Sequence, residues 1–337
     1  MKKILISSLA ITSIFIVTAC SNGQEPSQKK EEVSQARRDT NKENNVTSNV
    51  IAQNLYKEIS SGKIEHIHGI GYPGNLTGVS IATHSGIKIY QNGKWLESKE
   101  QKHDYMGFQA TKNGFFASGH PEPSSDLKNP LGLIKSNDGG ASFKKLAFYG
   151  ESDFHNLAAG YNNETVYVYN ERPNSKLKNG FYYSTDNGNA WKQGKLDGIS
   201  SAVSSFAVHP DKSSVVAMST KNGIYLSTDN GNTFKLFSKS QETTALTLGS
   251  EDVIYSYITE QQQQQLMKQP LATSQGADLN IPALDSKDQI MYISQNPQNP
   301  QNPAEIVFAT IKANVFLTTD DGNTWKQIVK NGNLEYN

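Results

Sequence analysis

The 337-residue sequence has little of several residue types, and each shortage excludes a class of protein. Its one cysteine excludes an intrachain disulfide framework and any all-cysteine metal site. Its 32 lysines and arginines are balanced by 32 acidic residues, so the chain lacks the positive surplus of a general electrostatic nucleic-acid binder. We therefore expect no nucleic-acid partner. The length allows one large domain or two ordinary ones.

Long hydrophobic runs are also scarce, apart from one at the N-terminus. Lys2 and Lys3 precede an apolar stretch of about fifteen residues, which is short for a membrane-spanning helix and typical of a signal peptide. The small residues before Cys20 resemble the lipobox of bacterial lipoproteins. That resemblance implies a diacylglycerol on Cys20, which would anchor the protein to the cell membrane on the extracytoplasmic side. The alternatives are an uncleaved anchor and a plain secreted protein.

The segment that follows Cys20 is polar. Residues 21–50 are dominated by Gln, Lys, Glu, Asn and Ser, and they cannot bury enough apolar surface to offset their chain entropy. We predict a signal peptide over residues 1–19, a lipidated, disordered tether over 20–54 and a folded domain over 55–337. A flexible tether of this length spans on the order of 30 Å.

A repeated box occupies the folded region. Residues 136–143, 184–191, 227–234 and 318–325 all fit the pattern S/T-x-D-x-G-x-x-W/F. The starts of these boxes lie 48, 43 and 91 residues apart, and the last gap is two periods. A degenerate copy is therefore expected near residues 273–276, and a shortened copy occurs at residues 90–95. The box aspartates and aromatics are Asp138, Asp186, Asp229 and Asp320 with Phe143, Trp191, Phe234 and Trp325.

Three short β-rich stretches precede each box, and its aromatic residue opens a fourth. Four strands per unit at a period of about 45 residues predict an all-β fold, a six-bladed β-propeller. The expected blades are residues 64–98, 103–150, 152–196, 201–238, 243–278 and 289–330. The alternative is a seven-bladed ring with an extra unit built from residues 50–63 and the C-terminus.

The residue types of the box also indicate a structural role in a turn. It lies between the third and fourth strands, where Gly supplies a positive φ and the Asp carboxylate accepts bonds from turn N–H groups. These residues resemble the Asp-box, or BNR, repeat of sialidases, sortilin-type receptors and a plant photosystem II assembly factor. The resemblance implies that the boxes are structural and lie on the face away from the ligand.

Six of the seven histidines are predicted to lie on the face opposite the boxes, around the central channel. Strand order brings together there His66, His68, His84, His103, His120 and His155, with Asp104, Glu151 and Asp153. We expect a ligand-binding pocket formed by these six histidines with Asp153 and Glu151. A divalent transition metal could bind His68, His84, His120 and His155, because neutral imidazole is the commonest protein metal ligand. A polar pocket for a sugar or other small molecule is the competing hypothesis.

Arginine scarcity argues against one enzymatic activity. Sialidases clamp a substrate carboxylate with three arginines, whereas Arg37 and Arg38 fall in the predicted tether and only Arg172 falls in the folded region. Other glycosidases need only two suitably spaced carboxylates, for which Glu151, Asp153 and Asp104 are candidates. We therefore expect no sialidase activity, and a different glycoside hydrolase remains an alternative.

Stretches outside the boxes carry a second resemblance. Residues 66–69, 118–121 and 150–155 are similar to segments of a family of bacterial lipoproteins that are named glycosyl hydrolases after their boxes. The similarity covers residues 64–235 well and transfers no catalytic residue. We predict a monomeric, membrane-anchored propeller that binds a small molecule, sugar, metal or protein partner. The alternatives are a non-sialidase glycoside hydrolase and an assembly scaffold for membrane complexes.

Overall fold

The computed structural model describes residues 54–297 and 305–336, which form an all-β fold of six separate sheets. The predicted signal peptide, Cys20 and the predicted tether up to residue 53 lie outside the described residues. In the part of the chain that the structure describes, no helix has the length and hydropathy needed to cross a membrane.

The sheets follow one another along the chain as six antiparallel blades. Blade one contains β2 (Gly69–Gly71), β3 (Val79–Thr83), β4 (Gly86–Gln91) and β5 (Lys94–Ser98), with β1 (Tyr56–Ile59) added outside β5. Blade two contains β6 (Asp104–Thr111), β7 (Gly114–His120), β8 (Leu133–Ser136) and β9 (Lys144–Ala147). Blade three contains β10 (Leu157–Ala159), β11 (Val166–Asn170), β12 (Gly180–Ser184) and β13 (Lys192–Gly194).

The second half of the chain repeats this order. Blade four contains β14 (Val203–Val208), β15 (Val216–Thr220), β16 (Gly223–Ser227) and β17 (Lys235–Leu236). Blade five contains β18 (Thr243–Leu248), β19 (Asp252–Ile258), β20 (Gln264–Pro270) and β21 (Ala277–Leu279). Blade six contains β22 (Ile290–Gln295), β23 (Ile306–Thr310), β24 (Val315–Thr318), β25 (Lys326–Lys330) and β26 (Asn333–Leu334).

The blades close into a ring whose hydrophobic cores lie between neighbouring blades. The first strands of successive blades contact one another all the way round, including β22 of blade six against β2 of blade one. Alternation along a strand sends neighbouring side chains to different cores: Ile81 packs between blades six and one, and Ala82 packs between blades one and two. The prediction of a six-bladed propeller is confirmed.

The ring is closed by pairing between the two ends of the described chain. Ile64 N–H donates to Gly332 O at 2.7 Å, and Leu334 N–H donates to Gly62 O at 3.3 Å. Trp95, fully buried between blades one and six, donates its Nε1–H to Glu335 O at 3.0 Å. β1 lies outside blade one as a fifth strand and β26 lies outside β25 in blade six, so the described residues considered for a seventh blade belong to the first and sixth blades.

The four full boxes have the same turn geometry. In each, the Asp carboxylate accepts the backbone N–H four residues later at 2.8–3.0 Å. The initial Ser or Thr hydroxyl donates to this carboxylate and accepts the N–H of the box glycine. Bonds from the Thr233 backbone and hydroxyl lower the pKa of Asp229 to about 2, and those from Thr324 do the same for Asp320. These carboxylates are thus engaged in holding the turns between third and fourth strands.

The incomplete copies occupy the same place in their blades. In blade one, β4 and β5 are joined by Asn92 and Gly93, both at positive φ, which is the two-residue hairpin that Asn-Gly favours. In blade five, residues 271–276 join β20 to β21 without a box, as expected for a degenerate copy.

Candidate functional site

The polar side chains of interest lie at the end of the ring opposite the Asp boxes. The boxes follow the third strands, and antiparallel pairing places the ends of the second strands and the starts of the first strands at the other end. His84 follows β3, His120 ends β7 and Asp104 begins β6. The strand β2 begins at Gly69, so His66 and His68 lie just before it and not on it.

Four of these side chains form what we call the first His group: His66, His68, His84 and Asp104. His84 Nδ1 lies 2.9 Å from Asp104 Oδ2 and 3.2 Å from His68 Nε2. His84 Nε2 lies 3.0 Å from His66 Nδ1, and His68 Nε2 lies 3.5 Å from Asp104 Oδ1. His84 is therefore the centre of the group and contacts the other three members.

Three more side chains form the second His group: His120, Asp153 and His155. Asp153 Oδ2 lies 3.2 Å from His120 Nε2 and 3.0 Å from His155 Nε2. On its other side, the His120 ring contacts Asn129, with Nδ1 2.6 Å from Oδ1. When Nδ1–H donates to Asn129, a neutral His120 directs the lone pair of Nε2 at Asp153, so a proton or a cation is needed between them.

The two His groups are adjacent. Asp104 and His120 are directly paired across β6 and β7, so one strand pair carries a member of each group. Burial raises the pKa of Asp153, and the charges of Asp104 and Glu171 raise it further, against the opposing effect of His155 and His120.

Burial and the hydrogen-bond pattern leave several nitrogen and oxygen atoms of the two His groups in a state that can bind a cation. Burial lowers the pKa of His68 to about 4, with a smaller opposing effect of Asp104, so its ring is neutral at pH 7. Asp104 Oδ1 and Asp153 Oδ1 are buried and accept no hydrogen bond from the described residues. Buried carboxylate oxygens are normally satisfied by a donor or an ion.

Two residues predicted for the pocket are placed elsewhere. His103 is 1% exposed, where its Nδ1 accepts the backbone N–H of Glu122 and its ring packs against Phe143 and Tyr105. Glu151 is exposed and accepts the backbone N–H of Ser175 at 2.9 Å, so it supports a surface loop of blade three. Both residues precede strands in the right blades, but their side chains contact neither His group in the contacts described for them.

Asn129 is a site residue that sequence reasoning missed. It is an exposed residue in the long connection between β7 and β8, where nothing in the sequence marks it as a partner of His120.

The first His group has the spacing of a metal centre. His68, His84 and Asp104 offer ligand atoms that all lie within 4.8 Å of one another. Around a tetrahedral ion with metal–nitrogen bonds of about 2.0–2.1 Å, ligand atoms are separated by roughly 3.3–3.4 Å. His84 Nδ1 and His68 Nε2 lie 3.2 Å apart, and they lie 2.9 Å from Oδ2 and 3.5 Å from Oδ1 of Asp104, respectively. Two imidazoles and one carboxylate on one side also leave coordination positions open for a ligand.

The comparisons with known proteins support the fold. Residues 132–281 match the family model Sortilin-Vps10, described as sortilin, neurotensin receptor 3. No curated protein matches the sequence.

Solved structures of glycoside hydrolases are similar in fold. The GH74 xyloglucanase from Xanthomonas campestris aligns with 13% identity and a TM-score of 0.51, covering 81% of this chain and 46% of the enzyme. The GH74 enzyme of Niastella koreensis aligns with 17% identity and a TM-score of 0.52, covering 81% of this chain and 47% of the enzyme. The chain spans less than half the length of these enzymes. Together with the four boxes, the matches support an Asp-box-type β-propeller fold for the described domain.

Proposed function

We propose that this protein is an extracytoplasmic, lipid-anchored propeller that binds a divalent transition metal through His68, His84 and Asp104. The observation that carries the proposal is that His68, His84 and Asp104 each offer a ligand atom within 4.8 Å of the other two, with the two imidazole nitrogens 3.2 Å apart. The neutral His68 ring and the buried Asp104 oxygen without a hydrogen bond support it. His66 Nδ1 lies 3.0 Å from His84 Nε2, the nitrogen that faces away from Asp104, and a hydrogen bond there orients the His84 ring for metal binding.

Titration of the full chain in detergent with Zn²⁺ and Cu²⁺ tests the metal proposal. We expect a dissociation constant below about 10 μM, and a loss of at least tenfold in His84→Ala and in Asp104→Asn. Lys221 is the matched control, since it follows the second strand of blade four as His84 follows that of blade one. Lys221→Ala should bind as the wild type does. Wild-type binding weaker than about 10 μM, unchanged by His84→Ala, would refute the proposal.

The anchor rests on the lipobox and has a separate test. Cells fed an alkyne-bearing fatty acid should label the wild-type chain and not Cys20→Ser. Labelling of both chains, or of neither, would remove lipidation at Cys20 from the proposal and leave the metal site unaffected.

A non-sialidase glycoside hydrolase is the second candidate, and one observation favours it. Burial raises the pKa of Asp153, which suits a proton donor, while Asp104 lies nearby as a second carboxylate. The similarity in fold to GH74 enzymes suggests xyloglucan as the first substrate to test. Release of reducing sugar by the wild type and its loss in Asp153→Asn would favour catalysis. Equal rates in both would exclude this role for Asp153.

A further inference from the structure

Two exposed apolar side chains lie next to each other in blade six. In the part of the chain that the structure describes, the exposed large hydrophobic residues are Leu236, Met291, Ile311 and Tyr336. Met291 follows Ile290 and Ile311 follows Thr310, and Ile290 and Thr310 are paired across β22 and β23. Met291 is 37% exposed and Ile311 is 59% exposed. We call these two residues the apolar patch.

The apolar patch lies at the end of the ring that carries the two His groups, which we call the His end. Ile311 follows β23, the second strand of blade six, as His84 follows β3, the second strand of blade one. Met291 lies at the start of β22, the first strand of blade six. Both strands contact β2 of blade one, and Ile67, just before β2, packs against the same core cluster as Tyr292. The patch therefore borders the blade that carries most of the first His group.

The described chain also enters the ring at the His end. β5 runs from the hairpin at the box end of blade one to Ser98 at the His end, and Tyr56 of β1 lies opposite Ser98. The backbone N–H of Lys99 donates to Leu55 O at 3.0 Å, and Lys99 Nζ donates to Asn54 O at 2.9 Å. These bonds fix the point of entry at the edge of blade one, next to blade six.

The point of entry limits how the ring can lie on a membrane. The predicted tether from Cys20 to Asn54 spans on the order of 30 Å, so an anchor at Cys20 keeps blade one and its neighbours closest to the lipid surface. Blade four lies across the six-bladed ring from blade one and is farthest from the point of entry. A short flexible linker gives an effective concentration on the order of millimolar, at which a patch too small to bind lipid by itself is sufficient.

The exposure of the patch fits a lipid surface better than a small molecule. Small-molecule sites are concave and enclose most of their ligand. Ile311 is more than half exposed and thus protrudes from the ring. The interface of a bilayer accepts protruding apolar side chains to a depth of about 5–10 Å, and it is the surface to which the anchor brings this end of the ring.

We infer that the ring docks on the membrane through its His end, with Met291 and Ile311 in contact with lipid. The inference rests on the lipid anchor at Cys20 in the proposed function and is independent of metal binding. In this orientation blades six and one face the membrane and blade four is turned away from it. The first His group then lies beside the lipid surface.

Fluorescence quenching in vesicles tests this orientation. The lipidated chain is placed in vesicles of phosphatidylcholine and phosphatidylglycerol that contain a nitroxide-labelled lipid. Cys20 is the one cysteine of the sequence and its sulfur is blocked in the lipidated chain, so a thiol-reactive fluorophore labels only an introduced cysteine. With the fluorophore at Ile311→Cys, we expect the nitroxide to lower the emission at least about twofold, because the label lies within the interface.

Leu236→Cys is the matched control for the position of the label. Leu236 is 48% exposed and lies in the last strand of blade four, on the side of the ring away from the point of entry. Both variants carry the same fluorophore, so its own affinity for lipid affects them equally. The nitroxide should leave the emission of the control nearly unchanged. Equal quenching in the two variants would overturn the inference.

A charge in the patch provides a second test. With the fluorophore at Met291→Cys, Ile311→Glu should reduce the quenching at least about twofold, because the carboxylate is repelled by the anionic lipid surface. Ile311→Leu should retain the quenching. Melting temperatures equal to that of the parent chain show that these exposed substitutions leave the fold intact. Unchanged quenching in Ile311→Glu would overturn the lipid contact.

The outcomes separate this inference from the proposed function. If Cys20 is acylated but Ile311→Cys is quenched no more than the control, the orientation is wrong while the anchor and the metal site stand. A chain that is not acylated would overturn both the anchor and the orientation. Shielding of the Ile311→Cys label from an aqueous quencher in native membranes, but not in lipid vesicles, would overturn the lipid contact in favour of a protein partner.

Discussion

Leu334 provides a direct test of how the ring is closed. This residue lies in β26, is 6% exposed and packs in the core between blades six and one, beside Trp95. Its backbone N–H bonds to Gly62 O, so it belongs to the contact between the two ends of the described chain. Leu334→Ala removes the side chain and leaves the backbone pairing in place.

The expected loss follows from burial. Replacing a buried leucine by alanine costs about 2–5 kcal/mol, through lost transfer free energy and the remaining cavity. Leu334 lies near the edge of its core, where neighbours can relax, so we expect about 3 kcal/mol. With a urea slope of about 3 kcal/mol per M for a protein of this size, the unfolding midpoint should fall by about 1 M.

Urea unfolding followed by tryptophan fluorescence measures this shift, and Trp95 reports from the same core. Leu236→Ala is the matched control, because Leu236 also lies in the last strand of its blade but is 48% exposed. The control should change stability by less than about 0.5 kcal/mol. Equal midpoints for Leu334→Ala and Leu236→Ala would show that the β26 contact does not hold the ring closed.

Three further predictions concern the boxes, the close contact of two blades and a buried histidine. The pKa values of Asp229 and Asp320 fall to about 2 on folding, so the unfolded chain binds protons at these carboxylates more readily than the folded chain does. The melting temperature should therefore decrease as the pH falls from about 4 towards 2. A constant melting temperature over that pH range would contradict this prediction. Gly107→Ala would place a Cβ 2.2 Å from Phe154 O, so it should push blades two and three apart. A zinc titration should then show weaker metal binding. Unchanged zinc affinity would show that metal binding tolerates this separation of the blades. His209 is 1% exposed and bonds to Ser250 O and to the N–H groups of Asp211 and Lys212, so His209→Ala should cost about 1–3 kcal/mol in urea unfolding without changing metal affinity.

The fold was predictable because the turn between the third and fourth strands requires particular residues, which recur along the sequence. Each box needs Gly at positive φ and an Asp that accepts turn N–H groups, and these requirements survive in the sequence at a fixed period. The outer strands β1 and β26 were not predicted, because they lie outside the repeat: β1 adds to the edge of β5 with Tyr56 opposite Ser98, and β26 folds back on β25 with Leu334 opposite Val329.

Strand order also predicted which end of the ring carries the histidines. It did not predict which histidines contact one another. His103 and Asp104 are neighbours in sequence, yet one points into a core beside Phe143 and the other meets His84, because successive side chains on a strand face opposite ways.

The placement of every described core cluster between two blades has a consequence for how the domain can lose its structure. A single blade has no interior of its own, so removing one exposes apolar faces on both neighbours. The smallest cooperative unit is therefore the whole ring, and we expect denaturation in one step. For the same reason we expect a partly synthesised ring to have no stable intermediate, and we expect both His groups, although formed by the first three blades, to become rigid only when the sixth blade has joined the first.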